Sequence, residues 1–91
     1  MAWHYQPVYT IRETSSGNPI KEYTICEVYL DADDKLELWT ESHEINPFGE
    51  SVEELLTDLE MMSNDCKRWM PVEFTALTPG MIFEEANESN E

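Results

Sequence analysis

Between Ser51 and Pro71 the apolar residues return at helical spacing, and that stretch constrains the fold more than any other in the chain. Val52, Leu55, Leu56, Leu59, Met62, Cys66 and Trp69 share one face of a helix. Ser51 followed by Glu54 is a capping box, in which each side chain satisfies a backbone N–H that the first turn leaves free. Glu53, Glu54 and Asp58 lie toward the start and Lys67 and Arg68 toward the end, as the helix dipole favours. Pro71 stops the helix. One amphipathic helix must bury its apolar side on something, and the preceding sequence offers strands.

Tyr5 to Glu13 carries the strand-forming Val8, Tyr9, Thr10 and Ile11, with Pro7 marking an edge or a strand start. Ser15 to Pro19 reads as a loop. Lys21 to Asp31 is the strongest strand. Thr24, Cys26, Val28 and Leu30 form a nearly all-apolar face, and Tyr23, Ile25, Glu27 and Tyr29 form the other. After the turn at Asp31–Asp34, Lys35 to Glu41 alternates: Leu36, Leu38 and Thr40 on one side, Glu37, Trp39 and Glu41 on the other. The two runs form a hairpin. Ser42 to Glu50, with Pro47 and Gly49, is a connecting loop, and Met70 to Phe74 is a short edge strand. Thr78-Pro79-Gly80 is a turn after which Met81-Ile82-Phe83 docks. The expected fold is α+β: an antiparallel sheet of three to four strands with one helix packed on one face, in the order βββαβ. Residues 1–83 form a single domain and 84–91 a disordered, solvated acidic tail.

This arrangement resembles the HicB-like fold of bacterial antitoxins. The likeness rests on Ile25-Cys26-Glu27-Val28-Tyr29-Leu30-Asp31, Leu38-Trp39-Thr40-Glu41, and Gly49-Glu50-Ser51-Val52-Glu53-Glu54-Leu55 running through Asp58–Met62 to Pro71-Val72. These segments are similar to short bacterial proteins that share the HicB-like core, and the likeness covers Tyr23 to Phe74. Asp34 departs from it, standing where the related turn commonly has Gly. Such antitoxins usually add a C-terminal DNA-binding module, whereas the sequence here runs from the core into an acidic tail. What the resemblance implies is a fold more than a function, and it gives autoregulation by DNA binding no support.

Charge narrows the partners. Twenty Asp and Glu against five Lys and Arg give a net charge of −15. Such a chain repels nucleic acid and anionic membranes, since phosphate binding needs cations to displace counterions. It attracts a basic protein, or stays soluble. No apolar stretch approaches the about 20 residues of a membrane span, and the N-terminus lacks the pattern of a signal peptide. The expected location is the cytoplasm, with Cys26 and Cys66 as buried free thiols.

No catalytic, cofactor-binding or metal-binding residue is assigned. Asp31, Asp33 and Asp34 do not continue into a calcium loop, because Lys35 and Leu36 stand where a ligand and a Gly are needed. Glu41, His43 and Glu44 put one His beside carboxylates, short of a zinc set. They carry the alternative function, a small-ligand site or enzyme. The candidate interaction face is Tyr23, Ile25, Glu27, Tyr29, Glu37, Trp39 and Glu41, turned away from the helix. Clustered aromatics with an acidic rim suit a protein surface; cross-strand pairing or cover by Met81–Phe83 is the other reading. The leading expectation is a protein-interaction module that self-associates through its sheet or edge strand and binds a basic protein partner.

Overall fold

The computed structural model describes residues 2–41 and 45–86. Strands β1 (Ala2–Glu13), β2 (Pro19–Leu30) and β3 (Leu36–Trp39) precede helix α1 (Val52–Arg68), strand β4 (Val72–Glu73) and a 3-10 turn at Phe74–Ala76. The α+β class and the single helix match the sequence. The sheet itself corrects the all-antiparallel expectation: it is mixed, in the order β3-β2-β1-β4, with β4 parallel to β1 at Val8↔Val72 and Tyr9↔Glu73. The reason is the crossover. β1 and β3 both run antiparallel to β2, and a helix returning the chain from the end of β3 starts the next strand in the direction of β3 and β1.

β1 begins at Ala2 rather than Tyr5, and pairs with β2 along its whole length, from Ala2↔Leu30 to Glu13↔Pro19. Opposed residues share a face, so the register divides the sheet cleanly. Ala2, His4, Gln6 and Val8 join Leu30, Val28, Cys26 and Thr24 on one face. Trp3, Tyr5, Pro7 and Tyr9 join Tyr29, Glu27, Ile25 and Tyr23 on the other.

The first face holds the core: Val8, Cys26, Val28, Leu30 and Leu36, closed by Leu77 and Phe83, with Trp69, Val72, Phe74 and Met81 packed against them. Thus the C-terminal segment, not the helix, covers the Cys26–Leu30 face. α1 lies instead along the edge of β1 that β2 does not occupy. Asp58 takes the Tyr5 hydroxyl, and Asp65 takes the Tyr5 backbone N–H at 3.0 Å. Only part of the helix's apolar pattern faces home: Met62 is buried and Leu55 half-buried, whereas Val52, Leu56, Leu59 and Cys66 are exposed. Cys66 therefore corrects the expectation of two buried thiols; Cys26 alone is enclosed.

The third strand breaks the expected alternation. A bulge between Tyr29 and Leu30 sets Leu30 opposite Leu36 but Tyr29 opposite Leu38 and Val28 opposite Trp39. One extra residue flips every side chain beyond it. Leu36 and Trp39 both reach the core, and Leu38, expected inside, is 60% exposed.

Local chemistry fixes the turns and caps. Ser51 Oγ accepts the Glu54 N–H at 3.1 Å and Glu54 Oε1 accepts the Glu50 N–H at 2.9 Å, an N-terminal cap close to the one read from sequence. Asp31 Oδ1 accepts the N–H groups of Asp33 and Lys35, which closes the β2–β3 turn and lets Asp34 sit at φ 63. Glu84 to Ala86, assigned to the solvated tail, are tied down: Glu84 accepts the Met70 N–H and Arg68 accepts the Ala86 N–H. Residues 87–91 lie outside the described residues. Among those described, no helix is long and apolar enough to cross a membrane.

Candidate interaction groove

The expected interaction face divides into separate surfaces. Tyr23, Ile25, Glu27 and Tyr29 do share the face away from the core, and β1 adds Trp3, Tyr5 and Tyr9 to it. Tyr9 and Tyr23 pack at 5.7 Å between centroids, and Trp3 and Tyr29 at 6.4 Å, so cross-strand aromatic pairing is real here. Trp39 does not belong to this face, because the bulge turns it into the core. Glu37 and Glu41 stand apart too, lining a shallow hollow with Leu38, Trp39 and Pro79. Ile45 and Asn46 border Tyr23 and Ile25 in another hollow. Met81 and Phe83 pack on the core side and so do not cover the aromatics.

Between the face and α1 runs a groove of about 440 Å³. Its apolar walls are Trp3 and Tyr5 from β1, Phe48 from the loop before the helix, and Met61 from α1. Trp3 meets Tyr5 edge to face at 5.2 Å. The charged lining is acidic, Glu27 from β2 with Glu54 and Asp58 from α1, beside the neutral Asn46 and Thr57, with no Lys or Arg among the described lining residues. The two ion pairs found among the described residues, Arg12–Glu22 and Arg68–Glu85, lie away from it.

Each carboxylate is held by a neutral donor. Asp58 accepts the Tyr5 hydroxyl and, at 2.8 Å, the Phe48 N–H, which pins the loop to the helix. Glu27 accepts the Tyr29 hydroxyl. None of these carboxylates is in an ion pair found among the described residues. Tyr5 registers their field: burial first, and then the bond to Asp58, push its hydroxyl above the ordinary tyrosine value. Tyr29 is raised chiefly by its bond to Glu27. Apolar walls with acids at the sides match in chemistry a cation that carries apolar surface.

On the other side of the Trp3–Met61 ridge lies a second cleft, about 510 Å³, where His4, Trp69 and Phe83 meet Asp34 and Asp65. Its one cation, Arg68, is paired with Glu85 at 3.1 Å. Trp3, 44% exposed, is thus flanked by acidic depressions on both sides.

Of the alternative site, Glu41 is exposed, and His43 and Glu44 lie outside the described residues. Among the described residues no group of His, Cys, Asp and Glu is arranged to hold a metal ion. Burial raises the Cys26 thiol to about 11, and partial desolvation with the nearby Asp65 charge raises the more exposed Cys66, so neither is a ready thiolate at neutral pH.

Of the groove residues, sequence reasoning found Glu27 and the neighbouring Tyr29. It missed Trp3, Tyr5, Phe48 and Met61. Trp3 and Tyr5 were detectable, since continuing the alternation of β1 back through Pro7 places both opposite Tyr29 and Glu27. Compared with known proteins, the chain matches no family model, no curated protein and no solved structure.

Proposed function

We propose that this chain is a non-catalytic protein-interaction module that binds a basic protein segment in the groove between α1 and the aromatic face. The observation that carries the reading is the lining itself: Trp3, Tyr5, Phe48 and Met61 beside Glu27, Glu54 and Asp58, with no cation among them, in a chain of net charge −15. A Lys or Arg side chain suits such a channel because its alkyl stem packs on apolar walls while its head meets carboxylates. The long-range field steers a basic partner toward the chain, and the groove supplies the short-range contacts. The same reading takes the chain as a HicB-like domain, a cytoplasmic binding protein for which a basic partner protein is the natural ligand.

Calorimetric titration with a short Lys/Arg-rich peptide tests it. Binding is expected to weaken about tenfold or more on Trp3→Ala, a loss of roughly 1.4 kcal/mol, and to weaken on Glu27→Gln. Raising the salt is expected to lower the affinity further. Binding unchanged by both substitutions removes the groove from the account, and no binding at low salt removes the basic partner.

A further inference from the structure

α1 carries more apolar surface than its own sheet covers. Leu55 and Met62, with Trp69 just past the helix end, recur every seven residues and form the line that faces home. A second line, Val52, Leu56, Leu59, Ser63 and Cys66, advances in alternate steps of four and three, and every member is exposed. The three aliphatic side chains are 71%, 57% and 42% exposed, in that order. This spacing is the seam of a two-helix coiled coil, narrower than the stripe a helix needs to sit on a sheet. Ser63, small and polar, allows close approach within the seam.

In a chain of net charge −15, self-association needs a local charge pattern that offsets the repulsion. α1 has one. Glu53 and Glu54 lie in its first turn and Lys67 and Arg68 in its last. Glu53, Glu60 and Lys67 also repeat every seven residues along one flank of the seam. Two helices packed antiparallel bring the first turn of each beside the last turn of the other, so a two-fold axis near Leu59 makes the favourable Lys67–Glu53 pairing twice, against a single Glu60–Glu60 approach at the axis. A parallel pair keeps the acidic first turns together and the basic last turns together, and so forms no Lys67–Glu53 pairing. Arg68 is engaged with Glu85, while Lys67 is in no ion pair found among the described residues.

We infer that a second copy of this chain docks along the seam, α1 against α1 and antiparallel, with Lys67 of each copy meeting Glu53 of the other. This goes beyond the proposed groove function and uses the opposite flank of the helix, so either can fail alone.

Light scattering or sedimentation of the full chain, from micromolar to millimolar concentration in moderate salt, tests it. The mass is expected to rise from 10.6 kDa toward twice that value. Leu59→Glu is expected to hold the chain at the monomer mass with an unchanged helical circular dichroism spectrum. Glu53→Lys and Lys67→Glu are each expected to weaken the dimer by about tenfold, roughly 1.4 kcal/mol, and the two together to restore it. A chain that stays monomeric throughout overturns the inference, as does a dimer indifferent to Leu59→Glu. Failure of the double exchange to recover what the single ones lose overturns the antiparallel arrangement.

Discussion

His4 shows how closely one side chain can be specified here. Its ring stacks on Trp69 at 4.2 Å, meets Phe83 edge-on at 5.5 Å, and bonds the Gln6 amide oxygen at 2.8 Å. Gln6 in turn donates to the carbonyls of Pro7 and Met70, so a buried polar pair is held without a charge. Burial lowers the His4 pKa below the ordinary 6.5, against the smaller opposing pull of Gln6 and Asp65. The sign follows. A histidine whose folded value is depressed contributes stability that is present above 6.5 and is lost as the pH falls toward the folded value. NMR titration is therefore expected to place the His4 midpoint below 6.5. The stability advantage of wild type over His4→Phe, which keeps an aromatic ring without the titration, is expected to shrink on acidification below that pH. A midpoint at or above 6.5 would contradict the burial argument.

At the scale of elements, the junction into α1 carries the Phe48 wall of the groove, and Gly49 there packs closely on the first turn of the helix. A Cβ at Gly49 would press into the backbone of Leu55 and Glu54, which cannot swing aside as a flexible side chain would. Gly49→Ala is expected to destabilise the fold by about 1–3 kcal/mol, the usual cost of overpacking, measurable as a lower midpoint in urea. It should also loosen the Phe48 wall that Asp58 holds. α1 was readable from sequence because its cap and dipole residues act within one turn. Its orientation was not, because one apolar pattern serves two surfaces: the Met62 line turned home and the Leu59 line turned out. β3 failed for a related reason. Alternation locates a strand, yet the bulge opposite Leu30 depends on pairing with β2 and leaves no mark in the run Leu36-Glu37-Leu38-Trp39. The parallel pairing of β4 is likewise a consequence of where the crossover returns. The groove was half legible: Glu27 stands out in a strand pattern, but Phe48 and Met61 join it only once α1 is folded across β1.

Across the molecule, the core and the aromatic face lie on opposite sides of one sheet. The core lies between the sheet and the C-terminal segment, where Leu77 and Phe83 close over Val28 and Leu36. The opposite face keeps Trp3 and Tyr29 available beside acids, and α1 roofs only part of it. An excess of carboxylates costs self-repulsion in the folded state, and a basic partner would relieve it where the groove concentrates it. The most direct test is to follow the indole N–H signals by NMR while a Lys/Arg-rich peptide is added at low salt. The account predicts that the Trp3 signal shifts, saturates, and reverts when salt is raised, while Trp39, packed against the core on the other face, stays in place. Equal movement of both indoles would mean diffuse attraction to a −15 surface, and a still Trp3 would mean that the groove does not take a basic segment.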